Sequence, residues 1–174
     1  MRKYLLIAST MLGLSACSGG SDEDAAANAA AEAKPPLMQP GEWEITHKLT
    51  GYNYDGLTKE EYDAKLGETV TTKACITDET ADRPDATFLA SNQGTECTYN
   101  NLTPTAGRLS ATLTCKSAPG TIDILLDGSS RDGTWMLAEQ STRMAEGKPT
   151  VRASADVTAT RLGDCPTAGE TTTG

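Results

Sequence analysis

The chain has 174 residues, 37% hydrophobic and only 5% aromatic, with 24 acidic against 15 basic side chains and a formal charge of −9. That length allows one ordinary domain, and an acidic chain without a basic stripe does not suit nucleic acid, whose phosphates demand clustered Lys and Arg. The same balance excludes an electrostatic grip on anionic lipid headgroups, and solubility is its ordinary use.

Met1-Arg2-Lys3 is a basic start, Tyr4 to Leu14 is an apolar run, and small residues lead to Cys17. This is the layout of an export signal, too short to remain in a bilayer as a spanning helix. Leu14-Ser15-Ala16-Cys17 resembles the bacterial lipobox: a leucine, two small residues and a cysteine. The resemblance implies cleavage of residues 1–16 and acylation of Cys17, which becomes the membrane anchor. Several acyl chains hold durably where one binds only marginally. Ser18 follows instead of aspartate, a pattern that implies sorting to the outer membrane of the cell envelope, facing the periplasm.

Residues 17–37 show no apolar period. Ser18-Gly19-Gly20-Ser21 and Asp22-Glu23-Asp24 lead into an Ala-rich stretch ending at Lys34-Pro35-Pro36. Such a segment buries too little to offset its ordering entropy. As a disordered tether it would hold the domain roughly 25 Å from the bilayer.

From Met38 the period changes to two. Trp43, Ile45 and Leu49 alternate with Glu44, Thr46 and Lys48, as in a half-buried strand. Val70 to Ile76, Cys97 to Tyr99, Leu109 to Cys115, Ile122 to Leu126, Trp135 to Leu137 and Val151 to Ala159 repeat the pattern. Turn residues separate them at 103–107, 118–120, Asp127-Gly128, Asp132-Gly133 and 147–149. Between the first two runs, Thr58-Lys59-Glu60-Glu61 is a capping box for a helix reaching about Leu66 and leaving at Gly67. Tyr62 and Leu66, four apart, would pack on the sheet or its rim. The expected fold is all-β over 38–165. It is an antiparallel meander of about seven strands in a curved sheet or partial barrel, with one short inserted helix and a disordered tail at 166–174.

With Cys17 assigned to the anchor, Cys75, Cys97, Cys115 and Cys165 remain. Four cysteines in an oxidising compartment read as two disulfides, and no pair has the close spacing of a zinc site. Cys97 and Cys115 flank a turn centred on Ala106, which places them opposite each other in a hairpin. Cys75 has the outward parity of its strand, so it can meet Cys165 after the last strand, across the outside of the sheet.

Met38-Gln39-Pro40-Gly41-Glu42-Trp43-Glu44-Ile45-Thr46 resembles the opening of the proteobacterial domain-of-unknown-function family 3617. Cys75-Ile76-Thr77 and the closing Arg161-Leu162-Gly163-Asp164-Cys165 fit the same pattern. The resemblance covers 38–165 and implies a small exported domain with paired cysteines. It implies no activity.

Candidate chemistry is sparse. His47, the one histidine, follows the inward parity of Trp43 and Ile45, so it can sit at a strand end or pocket mouth. No partner base or nucleophile is apparent beside it, so His47→Ala is expected to leave the fold intact. No hydrolase, zinc or phosphate-loop motif is present. The stretch Asp127 to Gly133 offers two carboxylates but lacks the ligand density of a calcium loop. Trp43 and Trp135 read first as core anchors and second, with His47, as ligand-facing groups. No cofactor or metal is expected. The chain is expected to be a non-catalytic binding or structural module, contacting an envelope protein or polymer. A carrier of a small apolar ligand is the alternative, and a small hydrolase the third. Pocket volume separates the first two: a carrier needs several hundred Å3 lined by apolar side chains.

Overall fold

The computed structural model describes residues 35–91, 93–105 and 107–166. The expected signal peptide, Cys17 and nearly all of the tether and tail lie outside them. Seven strands form where the alternation was read: β1 Gly41–Tyr54, β2 Thr69–Ile76, β3 Thr95–Thr105, β4 Arg108–Ser117, β5 Gly120–Arg131, β6 Thr134–Ala145 and β7 Lys148–Gly163. All neighbours are antiparallel in one sheet of order β2-β1-β7-β6-β5-β4-β3, curled into a half-barrel. From β3 to β7 the sheet is a meander closed by tight turns. Asp132-Gly133 and Glu146-Gly147 both take positive φ, the backbone geometry that matches the strand twist in a two-residue hairpin. Asp127-Gly128, expected as a turn, lies inside β5, which runs on to Arg131.

The meander is broken at one point. β1 pairs with β2 on one side and with β7 on the other, so β2 and β3, consecutive in sequence, form the two edges of the sheet. The connection between them, residues 77–94, crosses the open side and plugs it. It carries a second helix that was not expected from the sequence. The inserted helix α1 is Lys59–Lys65, and the additional one, α2, is Ala86–Leu89. Four residues are too few to show a helical period, and tertiary burial, not propensity, holds them. Asp85 caps α2 by accepting from the Phe88 amide at 3.0 Å.

Ala86, Phe88, Leu89 and Ala90 join the buried cluster that also holds Trp43, Ile45, Leu113 and Leu126. Tyr99 on β3 pins this plug: its hydroxyl donates to the Pro84 carbonyl at 2.8 Å, and the Arg83 guanidinium lies 4.8 Å from its ring centre. Burial holds the Tyr99 phenol far above its ordinary pKa. The plug passes into β3 at Gly94, where an added Cβ would stand 2.6 Å from the Lys116 carbonyl oxygen. Only glycine permits that approach.

Helix α1 has the expected capping box. Thr58 Oγ1 accepts from the Glu61 amide at 3.3 Å, and Glu61 Oε2 accepts from the Thr58 amide at 3.0 Å. Leu66 does not pack on the sheet, and is 44% exposed, because the chain turns extended there (ψ 128°). The hydrogen bonds from Thr58, its amide first, lower the Glu61 pKa from 4.5. A depressed folded-state pKa gives stability that is present above 4.5 and lost as pH falls through the lower folded value. Helix α1 is therefore expected to fray on acidification before the sheet does, read by NMR as loss of helical shifts over 58–66. Helical shifts retained after full protonation of the carboxylates would contradict this.

Candidate functional site

The inward face of the half-barrel can be followed row by row through its register. His47 faces Val157, which faces Leu137, and the next row is Leu49, Ala155, Glu139 and Leu126. After it come Tyr52, Ala153, Ser141 and Ile124, and then Tyr54, Val151, Arg143 and Ile122. Along β6 the inward positions thus change from Trp135 and Leu137 to Glu139, Ser141 and Arg143. The apolar half lies under the plug. The polar half begins where the plug ends.

At that boundary sits a buried ionisable pair. His47 Nδ1 lies 2.6 Å from Glu139 Oε2, with only 5% of His47 and 3% of Glu139 exposed. The contact is not an aligned hydrogen bond, so the ring nitrogens and Oε2 have no aligned partner among the described residues. The other carboxylate oxygen is satisfied: Gln93, on the last turn of the plug, donates Nε2 to Glu139 Oε1 at 2.7 Å. Ser91, buried nearby on the plug, is within 3.4 Å of the Thr72 hydroxyl on β2.

Beyond Gln93 the described residues leave the concave face open. An inner cavity of about 230 Å3 is lined by Gln93, Ser141 and Arg143 together with Leu49, Ile122 and Ala153. An outer cleft of about 680 Å3 runs between α1 and the rim, where Tyr52, Tyr54, Pro149 and Val151 form one wall and Glu61 and Ala64 the other. Tyr52, Lys65 and Val151 line both, so the two spaces adjoin. The rings of Tyr52 and Tyr54 meet edge to face at 5.6 Å. Hydrogen bonding to Glu61 raises the Tyr54 pKa, so the phenol stays protonated.

A family model described as a protein of unknown function, DUF3617, matches residues 38–165. The chain belongs to this family. No curated protein and no solved structure matches it. The matched span runs from Met38, buried beside Ala81, to Cys165, so it takes in the whole half-barrel and its plug.

In this DUF3617 domain the disulfides join Cys97 to Cys115, with Cα atoms 4.0 Å apart, and Cys75 to Cys165, at 5.5 Å. They are the two pairs reasoned from turn symmetry and strand parity. Near the turn the register is offset by one, with Thr105 facing Arg108, and a shift between Tyr99 and Asn101 brings Tyr99 opposite Leu113. Trp43, His47 and Trp135, read second as ligand-facing groups, line neither of these two spaces. All three are buried on the plugged half. The Trp43 indole N–H donates to the Gln39 carbonyl at 2.7 Å, which completes its role as a core anchor. His47 is not partnerless either, because Glu139 reaches it from two strands away.

Lining residues missed in the sequence are Tyr52, Tyr54, Gln93, Ser141 and Arg143. The signal for the last two was the parity of β6, which continues inward from Trp135 and Leu137. Counting from Trp43 puts both tyrosines outside. A bulge between Leu49 and Gly51 reverses the parity of β1 and turns them in.

Proposed function

We propose that this DUF3617 protein is a non-catalytic envelope lipoprotein, anchored through Cys17, that binds a small, largely apolar ligand on the uncovered half of its sheet. The cleft carries this reading. Its volume of about 680 Å3, with Tyr52, Tyr54, Pro149 and Val151 as lining, falls in the range of small-molecule sites, whereas a purely structural module needs no such space. This favours the carrier alternative over a module that only contacts envelope proteins or polymers. Binding is favoured over hydrolysis because His47, the usual kind of general base, is sealed under the plug. Envelope placement rests on the Leu14 to Cys17 motif.

Mass spectrometry of the protein purified from its own envelope tests both parts. The denatured chain is expected to begin at Cys17 and carry acyl mass. The native spectrum is expected to show an additional non-covalent ligand, released when Tyr52 and Val151 are both changed to aspartate. An intact leader would sink the anchor, and a native mass equal to the denatured mass would sink the ligand.

A further inference from the structure

We propose that the ligand is a single-chain amphiphile with an anionic head group, its head on Arg143 and its chain along the tyrosine-lined cleft. This rests on reading the cleft as a binding site. Arg143 is the one cation on the inward face of β6, half-buried between Ile122 and Val151. Its guanidinium donates to Ser117 Oγ, and no carboxylate lies within 4.0 Å of it among the described residues. A guanidinium carries five N–H donors, so most of its capacity is left for an acceptor in the cavity. Partial burial without a counter-ion is unfavourable, and an anionic head would remove that cost through charge-assisted hydrogen bonds.

The neighbouring charges orient the ligand. Glu68, the carboxylate lining the inner cavity, is held by Lys65 at 3.3 Å, which leaves Arg143 as the uncompensated charge there. The outer cleft carries Asp55 and Glu61 against Lys65 and Lys148, and Lys65 is already paired with Glu68, so the mouth has no net positive charge to hold an anion. The head therefore goes inward, beside Ser141 and Gln93. The chain then lies outward over Tyr52 and Tyr54, where a tail buries apolar area.

The test is calorimetric titration of residues 17–174 carrying Cys17→Ser, so that no acyl group competes. The probes are dodecanoate, dodecyltrimethylammonium and dodecyl maltoside, each below its micellar concentration. Dodecanoate is expected to bind one to one, at least about ten-fold tighter than the cationic probe. Arg143→Gln should weaken dodecanoate about ten-fold and leave the maltoside unchanged, while Arg143→Lys keeps part of the affinity. Thermal unfolding checks each variant. If Arg143→Gln does not fold, the ranking of the three head groups on the unsubstituted protein decides. Equal affinity for the three head groups, or dodecanoate binding untouched by Arg143→Gln, overturns the anionic head and leaves the cleft reading standing. Failure of all three amphiphiles to bind overturns both.

Discussion

Glu139→Ala is expected to destabilise the domain by about 3–5 kcal/mol, a lowering of Tm by roughly 10–20 °C. The carboxylate is almost fully buried, 2.6 Å from His47 Nδ1, and binds Gln93 on its other oxygen. Removing it leaves the imidazole and the Gln93 amide inside without a partner, and an unsatisfied buried polar group costs far more than a made hydrogen bond returns. His47→Ala is expected to be comparably harmful, because it strands the carboxylate. This replaces the neutral outcome foreseen from the sequence, which supplied no partner for the histidine.

The decisive comparison is the double substitution His47→Leu with Glu139→Leu. A buried pair exchanged for apolar side chains of similar volume is often neutral, so the double variant should recover most of the loss shown by either single one. Urea unfolding of the four proteins completes the cycle. Single variants within about 1 kcal/mol of the parent would show that the pair is solvated or mobile in solution.

The strands, the helix cap and the disulfide pairs were legible because each rests on a local rule. Alternation marks a face, turn residues mark the ends, and two cysteines equidistant from one turn meet across its hairpin, here with the help of a register shift between Tyr99 and Asn101. What was not legible has three physical causes. First, β1 pairs with β7 across more than a hundred residues, and nothing local in Trp43 to Leu49 distinguishes that partner from β2. Second, α2 is a product of burial: Phe88 and Leu89 are helical because the open side of the sheet needs covering.

Third, the candidate site hides where the pattern fails. On a hydrophobicity count the alternation of β6 stops at Leu137, because its next inward residues, Glu139, Ser141 and Arg143, face a polar boundary and a cavity. In β1 the bulge after Leu49 reverses the count just before Tyr52. A strand that loses its apolar alternation but keeps its length is lining something other than core.

Loss of the Cys75–Cys165 disulfide is expected to cost more stability than loss of Cys97–Cys115. The first closes a loop of 90 residues and the second one of 18. In the chain-entropy model the corresponding contributions are between about 4 and 5 kcal/mol and roughly 3 kcal/mol. Geometry adds to the contrast. Cys75 lies on the edge strand β2, held to the rest of the sheet by β1 alone, and Cys165 follows β7 on the far side of β1. The bond therefore clamps an edge that has no second neighbour. Ile76, the next residue, is buried at the start of the plug, so fraying of β2 would lift the plug from the core.

Cys97–Cys115 ties two strands already paired along most of their length. Cys75→Ala/Cys165→Ala should accordingly lower the urea midpoint further than Cys97→Ala/Cys115→Ala, and hydrogen exchange should be fastest in β2 and residues 77–94. The 97/115 pair has one opposing influence: Cys115 is fully buried, and its truncation leaves a small cavity worth about 1 kcal/mol. That is too little to reverse the order. A larger loss from the 97/115 variant, with β2 still protected, would mean that the edge is held by the plug and not by the clamp.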